Sequence, residues 1–362
     1  EEVMAKGTYE RIGEQSFVTH KVNGEKFRFE HPVKTHKEAI DFMTELLLVP
    51  KYNTIKSLAE IDGIGHRVAQ GADKFSSSVI IDEDVIAKID ECAALAPVHN
   101  KAAITGIRAA MEAMPGKPNV AVFDTAFHQT MEPTAFMYGL PYEYYDKYKV
   151  RRYGFHGTSH SFVSKEAANY LGMDLNDSKI IVAHLGNGAS VSAVVNGKCV
   201  DTSMGLTPLE GLVMGTRCGD IDPSIMEFIA KKENLDIAGV MNVLNKKSGL
   251  QGMSGVGSDM RDIRAAIADG NEDAKNAYDV LCYGIAKFVG GYVAAMNGVD
   301  AIVFTAGIGE NAIPVREKVV SYLGYLGVTL DKEANGVRGE EIVISTPDSK
   351  VKVAVIPTNE EL

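Results

Sequence analysis

The chain has no excess of positive charge: 37 Lys and Arg stand against 48 Asp and Glu, a formal net charge of −11. A protein that tracks a nucleic-acid backbone needs the reverse balance or at least a basic run, and none is present, so no nucleic-acid partner is expected. Paired cysteines are missing too. Cys92, Cys199, Cys218 and Cys282 are scattered without a CxxC pair, which excludes a disulfide frame or a zinc site and suits the reduced, buried thiols of a cytosolic protein. No apolar run approaches the roughly 20 residues that cross a bilayer, and the acidic opening EEVMAKGTYERIGE lacks a signal-peptide pattern, so no membrane partner is expected.

What is present is a chain of 362 residues, too long for one ordinary core, with the 45% hydrophobic and 23% charged content of a soluble globular protein. An acidic protein that binds polyanions has to gather a few Arg, His and backbone N–H groups at one place.

Residues 16–30 alternate about Asn23-Gly24, a strong hairpin signal. Thr35 and Glu38 are spaced as a capping box before a helix, a short strand is expected over 61–68, and helices over 83–94 and 99–114. NVAVFDTAF reads as a buried strand running into polar residues. The second half repeats this grammar: KIIVAHL, a glycine turn, a strand, then a hairpin at Asn196-Gly197. Helices follow at 222–233, 258–268 and 274–297, then the strand DAIVFTAG, a helix opened by Pro314, and a last hairpin over 341–356 turning at Pro347-Asp348. The repetition predicts a duplicated α/β architecture in two lobes, 1–127 and 128–362, each with a mixed sheet flanked by helices and a ligand in the cleft between them.

Six motifs carry chemistry. HLGNGAS, His184 to Ser190, ends a strand in a turn whose glycines let backbone N–H groups face phosphate oxygens, although it has no GKS or GKT of a Walker A loop. FTAGIGENAIP, Phe304 to Pro314, reads as a second nucleotide loop between a strand and a proline-opened helix. RRYGFHGTSHSFV places His156 between Gly154 and Gly157 at a helix entrance, capped by Thr158 or Ser159 and suited to an anion. MGTRCGDIDPS sets Arg217 in a glycine loop. GHRVAQGADKF and FDTAFH put Arg67 and Asp124 at the C-terminal ends of strands, where α/β proteins present side chains to ligands.

Taken together, VFDTAFHQTM, YGFHGTSH, AHLGNGAS, DTSMGLTPLEG, GTRCGDIDP, FTAGIGEN and IPTNEE resemble the acetokinase family, of the acetate and sugar kinase/Hsp70/actin superfamily, over essentially the whole chain. The resemblance implies a two-lobed actin-like, ribonuclease H-like fold, a cytoplasmic homodimer, and reversible Mg²⁺- or Mn²⁺-dependent transfer of phosphate between ATP and acetate, giving ADP and acetyl phosphate for acetyl-CoA formation. By the same resemblance His184, Leu185, Gly186, Asn187 and Gly188, Asp259, Met260 and Arg261, and Gly307, Ile308, Gly309, Glu310 and Asn311 bind ATP, and Glu360 holds the metal. Arg67 binds the carboxylate or acetyl phosphate, Asp124 is the catalytic aspartate, His156 and Arg217 stabilise the transition state, and Ala69, Val98, Phe155 and Pro208 line the acyl pocket with His99 nearby.

The substrate carboxylic acid, with a pKa of about 4 to 5, is ionised near pH 7 and has no proton to give up. Asp124 is therefore expected to position Mg²⁺ or an arginine, a phospho-aspartate being the outside alternative. Propionate or butyrate kinase, or a kinase of another short-chain carboxylate, is the nearest rival activity. A non-catalytic actin- or Hsp70-like nucleotide switch is the rival of a different class, one that would have no use for Arg67, His156 and Arg217 together.

Two departures from the family pattern stand out. No counterpart of its opening strand and Asn-x-Gly-Ser-Ser-Ser loop is seen, and the chain stops just after IPTNEE, so the native protein is expected to be longer at both ends. VAQGADKF replaces a more usual VVHGGEKF, and Ala69 and Val98 stand where bulkier Val and Leu are usual, so a pocket widened on one side is expected to admit propionate beside acetate while butyrate is used poorly.

Overall fold

The computed structural model describes residues 2–13, 15–52 and 54–360, with Pro97 and Val98 described by their backbone alone. Two compact units emerge, Glu1–Phe123 and Asp124–Leu362.

In the first unit, strands β1 (Ala5–Glu10), β2 (Phe17–Val22) and β3 (Glu25–Glu30) form an antiparallel sheet in that order. The hairpin lies where the alternation puts it, with Val22 opposite Glu25, and Asn23 (φ 52°) and Gly24 (φ 78°) take the positive φ values that a two-residue turn of matching twist requires. The pairing of β1 has no such signal in AKGTYE. Val18 and Val22 pack against Leu46 and Tyr52, Leu46 coming from α1 (His36–Leu48), whose cap Thr35 accepts from the Glu38 amide at 3.2 Å.

A second small sheet is mixed: β4 (Ile64–Val68) runs parallel to β6 (Asn119–Phe123), and β5 (Val79–Ile80) lies antiparallel on the other side of β6. Helices α2 (Glu83–Cys92) and α3 (Pro97–Ala113) connect these strands.

The second unit carries a six-stranded mixed sheet made of β7 (Lys179–Leu185), β8 (Ala189–Val195), β9 (Lys198–Thr202), β10 (Ala301–Thr305), β11 (Ile342–Val343) and β12 (Lys352–Val355). Its order is β11-β12-β10-β7-β8-β9, with β10 parallel to both β7 and β12 and the outer pairs antiparallel. The central strands are apolar on both faces because both faces are covered. Helix α4 (Gly157–Leu171) sets Val163, Ala167 and Ala168 against Ile180, Val182 and Val303. The opposite face, Ile181, Ala183 and Leu185 with Ile302 and Phe304, takes the long helix α7 (Glu272–Met296) through Leu281, Ile285 and Val289. Between α4 and α7 lie α5 (Ser224–Glu233) and α6 (Met260–Ala268), and α8 (Ala306–Asn311) and α9 (Ile313–Ser321) follow β10.

Helix α7 is long and apolar enough by length and composition to cross a membrane, although the sequence shows no uninterrupted apolar run of that size. Its buried residues form one cluster with the sheet, as those of a core helix do.

Two local expectations need correction. FTAGIGEN is not a loop: Ala306–Asn311 is a turn of helix directly after β10. The Glu310 carboxylate folds back to accept from the Ala306 amide at 2.8 Å, so a helix start that looks glycine-loose in sequence is closed by its own side chain. Helix α4 is not capped by Thr158 or Ser159 either. His156 occupies the cap position with φ 57° and ψ 23°, and the Ser159 hydroxyl is engaged elsewhere, 2.7 Å from His184 Nδ1 and 2.7 Å from Thr358 Oγ1.

Candidate active site

At the C-terminal end of β7 the chain makes the turn Gly186-Asn187-Gly188, closed by the Gly186 amide donating to the Gly188 carbonyl at 3.0 Å, and re-enters the sheet as β8. The loop bearing Arg217 is clamped onto that turn. Gly215 donates to the Asn187 carbonyl at 2.9 Å, and a β-carbon at Gly215 would overlap Asn187 Oδ1. From behind, the amides of Ser248, Leu250 and Gln251 donate to the carbonyls of Thr216, Met214 and Gly215 at 3.1, 2.8 and 2.9 Å. These residues of 248–251 are a part of the site that sequence reasoning missed. Their only sign is Gly249, whose φ of 64° and tight approach to the Met214 carbonyl forbid a side chain.

Arg217 and His156 converge over Gly188. A β-carbon there would lie 3.4 Å from both Arg217 Nη1 and His156 Nε2. The guanidinium is half-buried, its recorded contact is the Met214 sulfur at 3.7 Å, and no carboxylate pairs with it among the described residues. Burial pushes its pKa below the usual arginine value. A cation held this way is arranged to receive an anion, and the glycine keeps the space open. Gly188→Ala is accordingly expected to cut turnover by about tenfold or more while leaving the fold intact, since the nearest atoms to a methyl here belong to the side chains of Arg217 and His156 and not to the backbone. Unchanged kcat with a lowered melting temperature would show instead that the glycine serves the turn.

Asp124 follows β6 directly and is buried, and its carbonyl accepts from the Gly157 amide at 2.9 Å. A β-carbon at Gly157 would approach that carbonyl to 2.2 Å, so only glycine lets the entrance of α4 lie against Asp124. Phe155 is buried, its carbonyl 2.9 Å from His128 Nε2, and Pro208 is half-buried. His128 is enclosed, and desolvation pushes its pKa down to about 4, so it is a neutral structural imidazole.

A cavity of about 510 Å³ opens beside the turn. Of the residues assigned to ATP, Gly186, Asn187, Asp259, Met260, Arg261, Gly307, Ile308 and Asn311 line it; Ser258, Arg264, Ala312 and Arg338 line it too and were not foreseen. His184, Leu185, Gly188, Gly309 and Glu310 do not border it. Asp259 caps α6, and the Arg261 guanidinium, with its amide donating at 2.8 Å, holds the Asp259 carboxyl down to about 2. The Glu310 carboxylate also accepts from the Thr358 amide at 3.1 Å, and Thr358 Oγ1 lies 2.7 Å from Ser159 Oγ, which ties the segment leading to the exposed Glu360 to the start of α8 and to α4.

In the first unit Arg67 lies on β4 and is exposed, Ala69 is half-buried and His99 exposed; the side chain of Val98 lies outside the described residues. Sequence reasoning also missed Asn100, a buried residue of α3 that accepts from the Gln70 amide at 3.2 Å and donates to the Gln70 carbonyl at 2.9 Å, pinning the chain just after Ala69. Among the described residues no three His, Cys, Asp or Glu side chains are grouped to hold a metal ion.

The profile of the acetokinase family matches residues 1–362. The acetate kinase of Agathobacter rectalis is 68% identical over 100% of this chain and 92% of its own length. Among solved structures, an acetate kinase of Porphyromonas gingivalis superposes with a TM-score of 0.96 at 49% identity, covering 99% of this chain and 91% of that one. A propionate kinase of Francisella tularensis does so with a TM-score of 0.92 at 43% identity, covering 99% and 90%.

Proposed function

The chain belongs to the acetokinase family, and from that premise we propose that it transfers the γ-phosphoryl group of ATP directly and in line to the carboxylate of acetate. The acetate oxygen forms the new P–O bond as the bond to the β-phosphate oxygen breaks, leaving ADP and acetyl phosphate, and the same path runs backwards. The observation that carries the reading is the convergence of Arg217 Nη1 and His156 Nε2 on one point over Gly188, on the turn that also borders the 510 Å³ cavity. Phosphoryl transfer needs placement and neutralisation of charge more than covalent help, and a guanidinium with no carboxylate partner among the described residues, set beside an imidazole, supplies both. The cavity takes the nucleotide, Arg67 binds the carboxylate, and Asp124 positions a cation, since acetate brings no proton to remove.

Glu360 would hold Mg²⁺. Mg²⁺ is usually held by one or two carboxylates with substrate phosphates and water, so the single exposed Glu360 at the end of the segment tied by Thr358 fits it without a cage. When bound, the ion neutralises charge on the phosphates. We also assign the protein to the cytoplasm and to a homodimer, for which the exposed Val280 and Tyr283 on α7 offer an apolar strip; sedimentation at micromolar concentration giving a monomer would exclude the dimer.

The test is acyl-phosphate formation trapped with hydroxylamine, run with ATP, Mg²⁺ and acetate, propionate or butyrate. Acetate is expected to be a good substrate, propionate an appreciable one and butyrate a poor one; no acyl phosphate from any of the three would overturn the assignment. Ala69→Val should raise the acetate-to-propionate ratio of kcat/KM within the roughly 10- to 200-fold worth of a methylene in an apolar pocket. An unchanged ratio would mean that residue 69 does not set acyl size.

A further inference from the structure

Imidazoles gather where α4 meets the ends of β7 and β8, and more of them than an anion needs. The rings of His156 and His184 stack at 4.1 Å, and His160 lies 6.4 Å from His156, 6.0 Å from His184 and 5.6 Å from His128. One hydroxyl stands between two of them: Ser190 Oγ is 2.8 Å from His156 Nδ1 and 2.7 Å from His160 Nε2.

A hydroxyl has a single proton, so one of those ring nitrogens must accept and the other donate. If His160 Nε2–H donates to Ser190 and Ser190 donates to His156 Nδ1, then His156 carries its proton on Nε2 and His160 Nδ1 is a bare lone pair. In the reverse order, the proton of His160 sits on Nδ1 and a neutral His156 turns a bare Nε2 towards Gly188 and Arg217. His160 Nδ1 is fully buried and has no hydrogen-bond partner among the described residues. The reverse order would therefore enclose an orphaned N–H donor, the rarer defect in folded proteins. Burial and the neighbouring imidazoles also hold His160 well below the usual histidine pKa, so it has only one ring proton to place.

We propose that Ser190 and His160 are positioning residues that lock His156 as the neutral tautomer protonated at Nε2, so that it donates to a phosphoryl oxygen without carrying charge. The proposal rests on the reading that His156 meets the transferring group. Facing His156 are Ser190 from β8, His160 from α4 itself, His184 from β7 and Arg217 from the 214–219 loop. With a guanidinium already aimed at the same point, a neutral donor avoids a second cation beside the first. The serine thus keeps a proton on Nε2 while the ring is neutral, so the donor does not depend on the ring becoming charged.

The test is the ring-nitrogen NMR spectrum of the full chain labelled with ¹⁵N-histidine at pH 8, His156 being assigned by the signal lost in His156→Asn. Protonated Nε2 and unprotonated Nδ1 are expected for His156 in the unaltered protein. Protonation at Nδ1, or an imidazolium at that pH, would overturn the lock, and this readout stands even if a variant fails to fold. Ser190→Ala should lose about tenfold in kcat at pH 8, the scale of one misdirected hydrogen bond, and less at pH 6, where protonation of the ring restores a donor at Nε2. KM for ATP should stay within about twofold. His160→Phe should behave like Ser190→Ala, whereas His160→Gln, which keeps an amide N–H for Ser190, should retain the wild-type pH profile. A loss equal at pH 6 and pH 8 would mean that Ser190 only packs. The expected tautomer together with an active His156→Asn would leave the lock standing and remove His156 from the chemistry.

Discussion

Arg217→Ala is expected to lower kcat/KM for acyl-phosphate formation by roughly 10² to 10⁴, the range lost when a charge clamp on a phosphoryl transition state is removed. The melting temperature should not fall with it. The guanidinium is half-buried, desolvation weakens its charged form, and no carboxylate among the described residues compensates it, so the folded protein holds Arg217 at a cost. Its loop is fixed by backbone hydrogen bonds from residues 248, 250 and 251, none of which involves the side chain. Activity and stability should therefore separate. Arg217→Lys keeps a charge but not the planar fork, and it should recover only part of the rate. Thermal unfolding measured beside initial rates decides the matter: a parallel loss of both would mean that Arg217 supports the loop and not the reaction.

How far the sequence foresaw this site depends on which physical signal each part rests on. The glycine-bounded strands were legible because β7 and β10 carry the apolar runs Ile180–Ala183 and Ala301–Phe304 and end abruptly at Gly186 and Ala306-Gly307, as buried strands do. The α/β architecture followed from that alternation, as did the hairpin at Asn23-Gly24. Strand β1 was not legible, because its pairing is decided by β2 across the sheet and AKGTYE has no apolar alternation of its own.

The cavity beside the Gly186–Gly188 turn was only half legible. Gly186, Asn187 and the residues following β10 announce themselves by glycine at a strand end, whereas Ser258, Arg264 and Arg338 reach the cavity only through the tertiary placement of α6 and of the segment after Asn335. The cap of α4 was misread for a related reason. Ser159 has the right chemistry for a cap, but His184 and Thr358, distant in sequence, take its hydroxyl. A long-range partner competes for a polar side chain that a local rule assigns to the nearest amide.

The same competition marks Arg316, which no motif singled out and whose loss should be felt in both stability and nucleotide binding. It is fully enclosed on α9, and its donors all go to uncharged oxygens: Asn335 Oδ1 at 2.8 Å, the carbonyls of Gly309 and Glu310 at 2.9 and 2.8 Å, and those of Asn335 and Val337 at 2.7 and 2.8 Å. Burial, with Arg338 nearby, pushes its pKa down to about 10, which still leaves it charged at neutral pH. The guanidinium thus fastens the last turn of α8, whose Gly307, Ile308 and Asn311 line the cavity, to the segment that delivers Arg338 to the same cavity. Arg316→Ala would orphan several buried carbonyls at about 1 kcal/mol or more each, so a loss of roughly 3 to 5 kcal/mol in unfolding free energy is expected. Arg316→Lys places one ammonium where a five-donor fork is needed, and it should fold while leaving the two cavity walls loosely joined. For that variant ATP affinity, measured well below its melting temperature, should fall by about tenfold, the equivalent of one hydrogen bond's worth of ordering. Native ATP affinity in a folded Arg316→Lys protein would show that the walls hold their places without the clamp, and would confine Arg316 to stability alone.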